Sequence, residues 1–162
     1  MDTKRELLSL LSTDARESTE DIARQLGVDA ERVEELLDEL EADDTVRGYQ
    51  AVVDWDNTDD QHVAAFVELN VELDRETGYE EIAERIARFS EVESLRLVSG
   101  DYDFAIEVTG DSMQDVSKFI SDQIAPIPEI TQTVTHFIME TYKEAGIDFG
   151  DRDGDDRLSV SP

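Results

Sequence analysis

The five residues Ser99-Gly100-Asp101-Tyr102-Asp103 set two carboxylates and a phenol around one glycine. Such a turn is equipped for recognition. Glycine admits close backbone approach, the aspartates accept from an ammonium, and tyrosine offers a wall with an apolar body and a polar tip. A Gly-Asp turn is also ordinary hairpin chemistry, so by itself it leaves both readings open.

A second set of residues lies in "DIARQLGVDAERVEELL". Ala23 precedes Gly27 by four residues, while Val33 and Leu36 follow it by six and nine. That spacing suits a helix-turn-helix: a small residue lets two helices cross closely, glycine takes φ > 0 in the turn, and two aliphatics pin the second helix to the first. The groove-facing positions would be Ala30, Glu31, Glu34 and Glu35. Arg24, Arg32 and Arg47 flank the turn and the segment beyond it, where they are set to grip phosphates. The charge argues the other way. Nine of the sixteen residues 29–44 are Asp or Glu, and only Arg32 is basic. A three-helix bundle without a role on DNA is the plain alternative.

Catalysis has little to work with. Cysteine is absent, so there is no disulfide frame, thiolate nucleophile or thiolate metal site. The histidines, His62 and His136, stand alone at every metal spacing. No glycine-rich phosphate loop or nucleophile elbow occurs. "DRDGDD" (151–156) has acids at the first, third and fifth positions of a calcium loop, but Asp156 stands where glycine is needed and Pro162 occupies the twelfth position. These residues predict no catalytic group, no metal and no cofactor.

The whole chain is acidic: 42 Asp and Glu against 14 Lys and Arg, three of them Lys, for a net charge of −28 over 162 residues. Disorder would follow if apolar residues were scarce, but they make up 39% and fall in periodic patterns. The composition predicts a folded protein adapted to high salt, where a Debye length of ~3 Å at 1 M screens surface repulsion. Residues 1–50 hold 15 acids and 6 bases, and 51–162 hold 27 and 8, so no basic footprint marks either part. No signal-peptide core and no apolar run near the ~20 residues of a membrane span are present, which predicts a soluble, cytoplasmic chain.

The elements that must position these groups follow from periodicity. Leu7, Leu8, Leu10 and Leu11 mark a first helix at 3–12. Ser18 or Thr19 caps a second that ends at Gly27, and Asp29 caps a third with the stripe Val33, Leu36, Leu37 and Leu40. "TVRGYQAVVDW" (45–55) predicts two short strands, a wing-like hairpin. A polar linker, 56–61, separates this domain (1–55) from a second at 62–143. There Val67, Leu69, Val71 and Leu73 alternate as a strand. A helix follows with Tyr79, Ile82, Ala83, Ile86 and Phe89 on one face, then strands at 92–99 and 103–109. Asp111 is read as the cap of a helix with Met113, Val116, Ile120 and Ile124 inward, and 130–142 as the last strand. The order βαββαβ is the ferredoxin-like unit, with two helices on one face of an antiparallel sheet. Its other face needs a cover, which predicts dimerisation. Residues 144–162 read as an acidic, flexible tail.

"DIARQLGVDAERVEELLDELEADDTVRGYQAVVDWD" and "VSGDYDFAIEV", in this order, resemble the Lrp/AsnC (feast/famine) transcriptional regulators of haloarchaeal type over residues 1 to about 143. The resemblance implies an α+β chain: a winged helix-turn-helix domain and a ferredoxin-like RAM/ACT-like sensor domain. It implies DNA as a partner, an amino-acid effector, and dimers that assemble up to octamers. The effector would lie by Ser99, Gly100, Asp101, Tyr102 and Asp103, with Thr133 and Thr135 of the last strand added. Glu34, Glu35, Asp38 and Glu39 depart from the basic residues usual in the family's second helix, and Asp44 stands where glycine is frequent. Two alternatives follow. One is an effector sensor that no longer reads DNA and works through a basic paralogue; the other is an enzyme similar to the sirohaem decarboxylases, which share this architecture.

Overall fold

A computed structural model describes residues 2–150. The chain forms two compact units. The first is Met1–Val53 together with Lys143–Asp148, and the second has Asp54–Tyr142 as its body.

In the first unit, α1 (Thr3–Thr13), α2 (Thr19–Leu26) and α3 (Ala30–Ala42) each start on a polar cap. Asp2, Ser18 and Asp29 accept from the backbone N–H of Lys4, Asp21 and Arg32 at 3.1, 3.1 and 2.8 Å. Each cap satisfies one of the N–H groups that a helix start leaves without an internal partner. Gly27 closes α2 in the left-handed conformation, φ 68°. Leu7, Ile22, Ala23, Val33, Leu36 and Leu40 are the buried core, with Leu37 and Val46 at its edge.

The expected hairpin at 45–55 does not form. Residues 45–53 run without a ladder, and a 3₁₀ turn follows at Trp55–Asn57. The first valine is diverted to the helix end: the Val46 N–H donates to Leu40 O at 2.9 Å and its side chain joins the helical core. Tyr49 reaches back in the same way, its hydroxyl donating to Glu41 at 2.9 Å. The chain lies along α3 instead of pairing with itself, as suits two runs too short to hold a ribbon alone. A two-stranded ribbon does occur in this unit, from the other end of the sequence. β5 (Lys143–Glu144) pairs with β6 (Ile147–Asp148) across Ala145 and Gly146, at φ 47° and 80°. The region read as a flexible tail therefore begins with a hairpin. Residues 151–162, including the calcium-loop candidate, lie outside the described residues.

The second unit holds β1 (Val63–Val71), α4 (Tyr79–Ala87), β2 (Val92–Leu97), β3 (Phe104–Gly110), α5 (Met113–Phe119) and β4 (Ile130–Phe137). The sheet is antiparallel in the order β2-β3-β1-β4, the ferredoxin-like arrangement expected. Ala65, Val67 and Leu69 of β1 and Phe104, Ile106 and Val108 of β3 share the face buried with Ile82, Ile86, Val116, Ile120 and Ile124. Among the described residues no polar or charged residue is buried.

Four local readings shift. Ser112, rather than Asp111, caps α5, accepting from Asp115 N–H at 3.0 Å and donating to the Asp115 carboxylate at 2.8 Å. Met113, in the helix's first turn, is half exposed, and Phe119 takes the inward place. β4 stops at Phe137, leaving Met139 and Tyr142 exposed, and Leu73 falls beyond the end of β1. The helix after Phe119 widens into a π turn, Ile120–Ile124, which keeps both isoleucines inward.

Candidate DNA-facing helix and effector turn

The helix-turn-helix geometry is present in full. Ala23 is 5% exposed at the crossing, and Val33 and Leu36 are at most 1% exposed. The structure brings Gly27, Asp29, Glu31, Arg32 and Glu35 together around one shallow depression at the turn. Glu34 is exposed along the same helix, while Ala30 is half-buried. The exposed face of α3 is therefore acidic.

The cations meant to offset it are already engaged. Arg32 bonds Glu35 at 2.8 Å and approaches Glu39 at 3.7 Å, and Lys4 of α1 bonds Glu39 at 2.7 Å. Arg24 pairs with Asp21 at 2.9 Å, and Arg47 lies 3.9 Å from Asp44. The Glu35 bond raises the Arg32 guanidinium, and the Lys4 bond lowers the Glu39 carboxyl. All these pairs are exposed, so each contributes little to stability. Asp44, at the end of α3, takes the left-handed φ of 61° that glycine adopts without cost.

In the sheet unit, the turn between β2 and β3 closes with Val98 N–H donating to Asp103 O at 2.9 Å. Gly100 has φ 125°, a conformation closed to most side chains. Ser99 and Asp101 are exposed. The Tyr102 ring meets Phe66 edge-on, centroids 6.2 Å apart. Asp103 is held inward: its N–H donates to Leu69 O at 2.9 Å, and its carboxylate accepts from Val71 N–H at 2.9 Å. Sequence reasoning missed Asn70, whose side-chain amide donates to Asp101 O at 2.9 Å. The separation of 31 residues leaves no local signal for it.

Thr133 and Thr135 do not join this group. They stand opposite Leu69 and Val67, on the face that carries the helices. Phe66, and with it Tyr102, belongs to the other face, where His136 bonds Glu68 at 2.5 Å. The sheet lies between the threonines and the tyrosine.

Residues 64–147 match the Lrp/AsnC ligand binding domain. The uncharacterised HTH-type transcriptional regulator YugG of Bacillus subtilis is 39% identical over 158 residues, covering 97% of this chain and 95% of that one. The leucine-responsive regulatory protein of Klebsiella pneumoniae is 23% identical, over 87% of this chain and 85% of its own. A transcriptional regulator of Neisseria meningitidis, solved in complex with L-Met, superposes with a TM-score of 0.71 at 18% identity. It covers 89% of this chain and 92% of that one. These relatives are regulators, not enzymes, and among the described residues no helix is long and apolar enough to cross a membrane. With the helix-turn-helix and the four-stranded sheet in their family order, the chain belongs to the Lrp/AsnC family of HTH-type transcriptional regulators.

Proposed function

We propose that the chain binds promoter DNA as a dimer or higher oligomer and changes its binding when an amino acid occupies the region of the 98–103 turn. The observation that carries this is the left-handed Gly27 between two helices whose Ala23, Val33 and Leu36 are buried, in a chain that also holds the ligand-binding domain. Two relatives, one named leucine-responsive and one solved in complex with L-Met, support an amino acid as effector. Its setting is a salt-rich cytoplasm of haloarchaeal type, argued from the net charge of −28. Dimers form through the sheet face opposite the helices, where Phe66 lies between Tyr102 and His136.

The test is fluorescence anisotropy of host promoter fragments in molar KCl, with and without each amino acid. The expected result is saturable binding to a subset of fragments, altered by at least one amino acid. No binding to any fragment at any salt sinks the reading.

One observation favours a second reading. Because Arg24, Arg32 and Arg47 all have carboxylate partners beside an acidic helix face, the protein works as a sensor that engages DNA through a basic paralogue. Purification from the host then yields a stoichiometric hetero-oligomer, whereas the first reading yields self-assembly alone.

A further inference from the structure

On the sheet face opposite the helices, side chains from all four strands stand in rows. Alternation along β1 sends Ala65, Val67 and Leu69 to the helices, and Phe66 and Glu68 to this face. Across the sheet, Phe66 stands between Glu107 of β3 and His136 of β4, and Glu68 between Ala105 and Val134. Arg96 of β2 pairs with Ala105 and joins the second row. At the margin, Glu93 accepts from the Thr109 hydroxyl at 3.2 Å. Phe66, Ala105 and Val134 thus form an apolar centre, and the charged groups around it are Glu68, Glu93 and Glu107 with Arg96 and His136.

One ion pair crosses from row to row. His136 Nε2 lies 2.5 Å from the Glu68 carboxylate, and the imidazole stands beside Phe66 with ring centroids 6.1 Å apart. The Glu68 side chain is 24% exposed and that of His136 is 55% exposed. The carboxylate already lies low on the face, so a partner laid over it removes the water that remains. A carboxylate so covered needs a counter-charge beside it. Histidine supplies that charge conditionally, being the side chain that ordinarily changes charge between about pH 5 and 8. In a two-fold dimer both copies offer the same residues, so acids outnumbering bases on one copy meet the same excess on the other. A proton on His136 removes one unit of that excess from each side.

We infer that the Glu68–His136 pair makes association through this face proton-dependent: a second copy of the chain is held with His136 protonated, and the dimer loosens as pH rises. The dimer is the one proposed above, and its proton dependence rests on that proposal. Linkage sets the sign. A histidine that keeps its proton more tightly in the dimer strengthens association on the acid side, and the gain is lost as pH rises through its value in the dimer. Once covered, the pair is screened by salt far less than an exposed one, so the dependence persists in molar KCl.

The experiment is sedimentation equilibrium of the full chain in molar KCl between about pH 5.5 and about pH 7.5. The dimer dissociation constant of the parent rises about tenfold or more over this range. His136→Gln, which keeps an N–H for Glu68 but cannot take a charge, has the same constant throughout. His62→Gln, at the other histidine, follows the parent. Glu68→Gln leaves the imidazolium without its carboxylate, and the dependence vanishes or changes sign. A parent constant that does not move with pH overturns the inference, as does a parent-like slope in His136→Gln or Glu68→Gln. Phe66→Glu separates this failure from that of the dimer itself, because it places a charge in the apolar centre and yields monomer at every pH. If Phe66→Glu is monomeric while the parent dimer ignores pH, the dimer stands and the proton dependence falls. If Phe66→Glu dimerises like the parent, or the parent is monomeric throughout, both fall together.

Discussion

Both halves of this protein bend around a glycine with positive φ, and the two bends are held by opposite means. At Gly27, φ 68°, the residues that fix the bend are Ala23, Val33 and Leu36, all buried, and beside the turn Arg24 and Arg32 pair on the surface with carboxylates three residues away, Asp21 and Glu35. At Gly100, φ 125°, the fastening is polar and distant: Asn70 and the backbone of Leu69 and Val71 reach across from β1. The first bend sets a helix–helix angle, for which non-directional burial suffices once the spacing is right. The second presents its own backbone and side chains, so hydrogen bonds of defined direction hold each residue in place.

The sharpest way to break this contrast is to remove packing at the first bend. Leu36→Ala, at a site 1% exposed, should cost about 3 kcal/mol. Circular dichroism melts in molar KCl should show the helical signal lost first. A melting temperature equal to the parent's means that burial does not hold the helix pair. At the second bend, a side chain on Gly100 meets nothing within 4 Å, so Gly100→Ala tests backbone strain without a clash. It should cost about 1–3 kcal/mol. Gly27→Asn also meets open space but sits where asparagine is tolerated, and should cost about 1 kcal/mol or less. The order of the two effects in thermal denaturation is the test; Gly27→Asn as the more damaging change contradicts the contrast.

What was legible in the sequence follows the same division. Ala23, Gly27, Val33 and Leu36 report their roles through spacing, and Ser18 and Asp29 report theirs by standing just before apolar periodicity. The period-two run of β1 and the element order sufficed for the sheet. Bonds between residues 31 or 32 positions apart leave no such trace, so Asn70 went unnoticed and Asp103 was grouped with Asp101. Thr133 and Thr135, which only the resemblance added to the turn, stand apart from it for a specific reason. Asn70 pairs with Gln132 but Val71 pairs with Ile130, so Thr131 is an extra residue in β4. This bulge lets Ile130 and Phe137, of opposite parity, both pack on the core. It also turns Thr133 and Thr135 to the helix face, away from Tyr102. The wing misled because a β-branched run reads as a strand even where Val46 is claimed by the end of α3.

A smaller effect sharpens the contrast from the side of charge. Glu39 in the helical unit and Glu129 in the sheet unit are both held below the ordinary carboxyl value of 4.5, each chiefly by a hydrogen bond from a cation, Lys4 and Arg85 respectively. Their settings differ: the Glu39 side chain is 48% exposed, and that of Glu129 is 12% exposed, with Arg85 at 2.8 Å. A group whose carboxyl is lowered on folding stabilises the protein above its unfolded value and loses that contribution as pH falls through the folded one. Both pairs therefore act on the acid limb, below about pH 4.5. Molar salt screens the exposed pair and reaches the shielded one far less. Thermal melts from pH 7 to 3 should then separate them: Glu129→Gln flattens the acid limb in both dilute buffer and molar KCl, whereas Glu39→Gln does so in dilute buffer alone. Curves for Glu129→Gln that track the parent at every pH, or a Glu39→Gln effect that survives molar KCl, would show that exposure does not set the difference between the two units.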